Sequence, residues 1–279
     1  MKRILIIGEN SYIGKSFGTF ANDKYNIKIV SSRNSAWKNT DFTEYDSVLY
    51  CAGIAHSKQT NEMKTLYYAV NCDLTIDIAR KAKNEGVSQF IFLSSMAVYG
   101  TTHPEIDKGI LPQPASNDFY GGSKLKAEYE LKKLFGDNLK LCIVRPPMVY
   151  GKGCKGNFPK LVNLVKRMLI FPDYLNKRSM IYIDNLCEFL CNIIDSENEG
   201  VFTPQNDEYV NTTELVRYIA ECHNKRIVQT KLFNIVIRLF MKRMSIIKKM
   251  FGDLYYHRQG NENGYNIVSF KESIKKSME

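Results

Sequence analysis

The chain opens on MKRILIIG, a short β-branched apolar run that ends on a glycine, and Ser11 to Phe20 follows it with the pattern of a helix. A strand, a glycine turn and a helix in that order leave a chain few folds to choose from. Similar apolar runs recur at Ile27 to Ser31, Ser47 to Ala52, Gln89 to Ser94 and Leu139 to Val144, with helical patterns at Met63 to Lys83 and Phe119 to Phe135 between them. Strands alternating with helices make right-handed βαβ units and a parallel sheet covered on both faces. The expected fold is α/β, a doubly wound parallel sheet over 1–153 to which 179–198 returns, with a smaller C-terminal α/β domain over 154–279. Beyond Gly153 the pattern predicts helices at about 158 to 169, 184 to 195 and 212 to 223 and an extended piece at Met180 to Ile183. Pro104, Pro112 and Pro114 make a loop of about 100 to 117, expected above the carboxyl ends of the strands as a lid.

The 279 residues are 44% hydrophobic and 24% charged, which excludes a disordered or fibrous chain. No uncharged apolar stretch reaches about 18 residues, and no small-residue cleavage site follows the first run, so a cytoplasmic location is expected. Seven scattered cysteines without a CxxC pair argue against a disulfide framework or a metal site and read as reduced core thiols. His56, His103, His223 and His257 carry no ligand spacing.

The net charge of +10 is local. Residues 225 to 258 hold 9 Lys+Arg against 1 Asp+Glu, whereas 1 to 224 hold 27 against 25. Within 233–251, Phe233, Val236, Ile237, Phe240, Met244, Ile247 and Phe251 recur at helical spacing, with Arg238, Lys242, Arg243, Lys248 and Lys249 elsewhere on the turn. That predicts one amphipathic basic helix or two short ones, packing on the core with a solvated cationic face in preference to a weak contact with a membrane surface. No nucleic-acid-reading motif accompanies the charge, so nucleic acid is not an expected partner.

Gly8-Glu9-Asn10-Ser11-Tyr12-Ile13-Gly14 joins the first strand to the first helix. Glycines there let the backbone approach a pyrophosphate, and amides at the helix start stabilise its charge. The second strand ends Ile29-Val30-Ser31-Ser32-Arg33, without the acid that accepts from a ribose 2′-hydroxyl in an NAD site. Hydroxyls and a guanidinium suit a 2′-phosphate, so Ser32 and Arg33 favour NADP over NAD.

Tyr120-Gly121-Gly122-Ser123-Lys124 lies on the Phe119 helix, and Ser94-Ser95-Met96-Ala97-Val98-Tyr99-Gly100 follows a strand. Tyr120 and Lys124, four apart, share a helix face. A free phenol titrates near 10, so an ammonium nearby is expected to lower it, and Ser95 to position the reacting oxygen. Tyr120, Lys124 and Ser95 are the candidate catalytic residues.

With these residues the sequence resembles the extended short-chain dehydrogenases/reductases, the NAD-dependent epimerase/dehydratase type, and with them the Rossmann fold, over nearly its whole length. The resemblance implies further cofactor contacts at Cys51, Ala52 and Gly53, at Asn71, at Asp41 and Phe42 around an adenine, at Ser94, and at Pro147 within the RPxxVYG-like Arg145 to Gly151. It implies substrate contacts at Ser95, Asn157 and Arg178, substrate binding as the role of the domain over 154–279, a C-terminal signature at Asn263 to Asn266, and a homodimer through the helices at about 63 to 83 and 119 to 135. Ser11 stands for a glycine of that family and Asn185 for its usual Asp. SSRNSAWK, SSMAVYG, VRPPMVYG and GNFPKLVNLVKR resemble enzymes of capsular polysaccharide clusters that handle UDP-N-acetylated 6-deoxy sugars, which implies hydride transfer at C4 of a nucleotide sugar. Met96-Ala97 replaces the Asp-Glu of the 4,6-dehydratases and the Cys of the 3,5-epimerases, which excludes both, since a thioether exchanges no protons. A 4-ketoreductase with exchangeable NADP is favoured. A 4-epimerase with retained NAD, a dinucleotide sensor without chemistry, and a membrane-docked enzyme on a lipid-linked sugar are the alternatives.

Overall fold

A computed structural model describes every residue except 34, 56–59, 108, 136–138, 242 and 259–263; His56, Lys242 and Asn263, singled out above, lie outside the described residues. Six parallel strands run across the main sheet in the order Gly200–Phe202, Lys140–Val144, Gln89–Leu93, Ser47–Tyr50, Arg3–Ile7, Asn26–Val30. Alternation along each strand sends Ile4, Ile6, Leu49, Ile91 and Val144 into one core and Leu5, Ile7, Val48, Phe90 and Ile143 into the other. Burial on both faces is why these strands read as continuous apolar runs. Helices Tyr12–Phe20 and Ile183–Asp195 pack together on the first face, Leu74–Asn84 and Phe119–Phe135 on the second. The chain reverses its progress across the sheet between Arg3–Ile7 and Ser47–Tyr50, and a crevice opens above the carboxyl ends at such a switch point.

Expected strand ends shift by one or two residues. The extended piece expected at Met180 to Ile183 is the strand Met180–Tyr182, paired with Met148–Tyr150, whereas the edge strand Gly200–Phe202 and the other two two-stranded sheets had no apolar run to announce them. The helix expected over Met63 to Lys83 consists of Lys64–Tyr68, a π turn at Ala69–Asp73 and Leu74–Asn84. The 100–117 loop is stitched down. Its Glu105–Ile106 pairs with Tyr255–Tyr256, the Tyr255 amide donating to Pro104 at 2.8 Å and the His257 amide to Ile106 at 2.7 Å.

The basic stretch forms two short helices, Asn234–Phe240 and Ser245–Phe251. The expectation that its apolar side packs inward is met by Ile237 and Phe251, and in part by Ile247, while Phe233, Val236, Phe240 and Met244 face solvent. Cys72, Cys142, Cys187 and Cys191 are buried and Cys51 and Cys154 half-buried, but Cys222 is exposed and is no core thiol. Among the described residues no helix is long and apolar enough to cross a membrane.

Candidate active site

A cleft of about 2060 Å³ runs along the carboxyl ends of the strands and between the two halves of the chain. At its floor, Gly8 has φ +134°, and a Cβ there would come within 2.9 Å of the Ala52 amide nitrogen. Only a glycine lets the two switch-point strands end this close. Ser11, where a third glycine was expected, caps the first helix: its Oγ accepts from the Gly14 amide at 3.2 Å. Gly14 does not line the cleft. Its Cβ would press on Ile6 at 3.2 Å and on the Gly8 carbonyl at 3.3 Å, so it serves the close packing of helix on strand. Tyr12 turns its ring to the cleft and buries its hydroxyl, without a hydrogen-bond partner among the described residues, beside Gly151.

Ser32 and Arg33 line the cleft beside the first turn. Asp41 and Phe42 do not reach it. The Asp41 carboxylate caps its own turn at Thr43, and Phe42 is fully buried in the second core. Trp37, Lys38, Leu74 and Asp77 occupy that end instead. The sequence reading passed over Trp37, although it is the single tryptophan and lies within SSRNSAWK, four residues past Arg33.

Cys51, Ala52 and Gly53 form the facing wall. Asn71 sits beneath it, fully buried on the π turn, accepting from the Ile54 amide at 2.8 Å and donating to the Ile54 carbonyl at 3.1 Å and to Ser123 Oγ at 3.0 Å. Ser123 donates to the Tyr120 carbonyl at 3.0 Å. One amide therefore fixes the loop at Ile54 to the helix that carries Tyr120. A π turn displaces a side chain relative to a regular helix, and such turns recur at functional sites.

Tyr120, Lys124 and Ser95 all line this cleft. Ser95 caps the short Met96–Tyr99 turn, accepting from the Ala97 amide at 3.2 Å, and is hydrogen-bonded to the Tyr120 side chain. Burial raises the Tyr120 hydroxyl above the usual phenol value, and the Ser95 hydrogen bond opposes that rise. The expectation that Lys124 lowers it is not met here. Lys124 donates to the Leu93 carbonyl at 2.8 Å over the Phe92 ring, next to Gly53, where burial brings its ammonium down to about 8. Ser94 lines the cleft as well, and its hydroxyl donates to Glu128, whose carboxylate is also paired with Arg145. Arg145 in turn donates to the Tyr99 hydroxyl at 2.6 Å. Nothing local in the sequence announces this buried pair of Glu128 and Arg145, which lies behind the cleft wall at Ser94.

Pro147 lies along the cleft with Pro146, Met148 and Val149. The C-terminal half brings Asn157 at the start of the Asn157–Arg167 helix, and Arg178, whose guanidinium donates to the Gly252 carbonyl at 2.9 Å. Lys155, Lys160, Arg243, Lys248 and Lys249 join them, none foreseen as site residues, so this end is strongly cationic. It suits a diphosphate.

The fold is shared with solved structures of low sequence identity. A dTDP-4-dehydrorhamnose reductase from Bacillus anthracis in complex with NADP superposes with a TM-score of 0.72 at 19% identity, covering 100% of this chain and 99% of the other. A UDP-N-acetylglucosamine 4-epimerase from Methanobrevibacter ruminantium gives 0.76 at 17%, covering 99% and 97%. In sequence, the chain is similar to a UDP-glucose 4-epimerase from Vibrio cholerae, 36% identical over 182 residues, which are 62% of this chain but only 56% of that protein. An N-acetyl-alpha-D-glucosaminyl-diphospho-ditrans,octacis-undecaprenol 4-epimerase from Escherichia coli O157:H7 is 25% identical over 246 residues, 80% of this chain and 73% of that one. The glycine turn, the Ser95 and Tyr120 wall and, but for Arg3 at the start of the first, all six strands of the main sheet fall inside residues 4–205, the stretch that matches the NAD dependent epimerase/dehydratase family, and this chain belongs to that family.

Proposed function

We propose that the cleft moves a hydride and a proton at C4 of a sugar held through a diphosphate, and that the net reaction is 4-epimerisation of a UDP-2-acetamido hexose. The observation that carries the chemistry is that Ser95, Tyr120 and Lys124 share the wall of a cleft whose floor is the Gly8 turn. As a phenolate, stabilised by the Lys124 ammonium together with the cationic ring that a bound cofactor would bring, Tyr120 takes the proton of the C4 hydroxyl as that carbon is oxidised, and as a phenol it returns the proton when the carbonyl is reduced from the other face. Ser95 shares the proton and fixes the oxygen against Tyr120. Below about pH 8 Lys124 carries its charge beside Gly53, placed to hold ribose hydroxyls.

The glycine floor fits a dinucleotide, with Gly8, Ser11, Ile13, Ala52, Gly53 and Pro147 along its length and Trp37 and Arg33 at its far end. When bound, a nicotinamide supplies the acceptor and donor of the hydride at C4. Asn157, Lys155 and Arg178 would hold the substrate diphosphate. Epimerisation is supported by the names of both sequence relatives. Net 4-ketoreduction with NADP, the direction the sequence favours, has its own support: Ser32 and Arg33 reach the cleft and the second strand contributes no carboxylate.

The purified protein distinguishes these directly. Release of NAD on denaturation, with interconversion of UDP-N-acetylglucosamine and its C4 epimer without added cofactor, is the expected result. Oxidation of NADPH by a UDP-4-keto sugar, without epimerisation, would establish the reductase instead. Binding of dinucleotide with turnover of neither substrate would contradict the proposal and leave a sensing role.

A further inference from the structure

The Asn234–Phe240 helix, NIVIRLF, is apolar almost all round, yet only Ile237 is buried. A helix of that composition normally ends up enclosed. Here Leu232 is 82% exposed, Ile235 71%, Val236 49%, Leu239 67% and Phe240 40%. These positions are spaced three and four apart, so they form one stripe, and it points to solvent. Met244 and Ile246, at the start of the next helix, and Leu169, Ile170 and Val228, on or beside the small sheet against which Lys231–Phe233 packs, are exposed as well. Lone exposed leucines are ordinary; a contiguous apolar stripe marks an interaction surface.

The charge beside the stripe identifies its partner. No acidic residue occurs between Glu221 and Asp253, while Lys231, Arg238, Arg243 and Lys249 are exposed around the apolar side chains. Large apolar side chains interleaved with cations, in a segment that holds no acidic residue of its own, complement an anionic lipid surface, where the apolar groups enter the interface and the basic ones meet the headgroups. We infer that residues 231–249 dock the protein on an anionic bilayer as a surface anchor. Arg243, Ile246, Lys248 and Lys249 also line the cleft, so the docked protein holds the mouth of its cleft at the headgroup layer.

Docking is independent of the chemistry at C4, and Tyr120→Phe is expected to bind vesicles like the wild type. The test is co-sedimentation of the full chain with vesicles of phosphatidylcholine alone and with a third phosphatidylglycerol, at low and at 0.5 M salt. Expected are binding to the anionic vesicles, weakening with salt as screening shortens the reach of the charges, and a loss of about tenfold or more in Leu232→Ser/Ile235→Ser/Leu239→Ser, whose circular dichroism and melting stay those of the wild type. Wild-type protein that stays in the supernatant with anionic vesicles at low salt overturns the inference, as does a triple variant that still binds. So does a wild-type dimer that the triple variant dissociates without any vesicle binding, which would make the stripe a contact between copies of this chain.

Discussion

Tyr120 and Lys124 were legible because their relation is local: residues four apart on a helix share a face whatever the rest of the chain does. Trp37 and the Glu128–Arg145 pair were not, because their neighbours arrive from distant parts of the chain. Asn185, where the family has Asp, is explained by donors: fully buried, it donates to Asn206 and to the Val268 carbonyl while accepting from the Val268 amide at 3.0 Å, and a carboxylate could do only the last. Tyr120→Phe is expected to cut turnover about 10²- to 10⁴-fold with little change in KM or melting temperature, read by steady-state kinetics beside a thermal melt. Lys124 makes a stability prediction. Its ammonium titrates near 8 in the folded protein and at its ordinary 10.5 when unfolded, so burying the charge costs stability fully below pH 8, and the cost fades as pH rises toward 10.5. Urea midpoints of the dinucleotide-free protein should therefore show wild type gaining on Lys124→Met by about 2 kcal/mol between pH 8 and 9.5; a constant difference would contradict the assignment.

At the scale of elements, the Phe119–Phe135 helix is held to the sheet by charge as well as by packing. Glu128 and Arg145, 2% and 7% exposed at their side chains, face each other between this helix and the end of Lys140–Val144. Removing one partner strands the other in the interior. Glu128→Ala is expected to destabilise by about 3–5 kcal/mol in chemical denaturation, with Glu128→Leu/Arg145→Met recovering most of it. The Gly8 turn is as exacting: Gly8→Ala places a Cβ against the Ala52 backbone at φ +134°, and should cost about 1–3 kcal/mol together with most of the dinucleotide affinity, measured by melting with and without NAD. The strands of the main sheet were readable from their apolar runs and Phe119–Phe135 from its periodicity. The π turn was not, since a helix that gains a residue in one turn keeps nearly the same pattern, nor was the pairing of Glu105–Ile106 with Tyr255–Tyr256, which brings together segments 150 residues apart.

The whole molecule is one cleft with two chemistries, a glycine floor from the sheet and a cationic end from the C-terminal half. The floor could be read in the sequence because its signals are turns. Of the cationic end only Arg178 could, through the resemblance, because Lys155, Arg243 and Lys249 join it only once the chain is folded. The basic stretch showed the same limit: periodicity predicted a helix but assigned its apolar residues inward, whereas most of them face solvent. The central claim is that hydride leaves and returns at C4 while Tyr120 handles only the hydroxyl proton. Proton NMR of UDP-N-acetylglucosamine turned over in D₂O measures it most directly. Expected is a C4 epimer that retains its original hydrogen at C4 and takes no deuterium on any carbon of the ring; deuterium at C4, or an undiminished rate in Tyr120→Phe, would overturn hydride transfer at C4 with Tyr120 as the proton carrier.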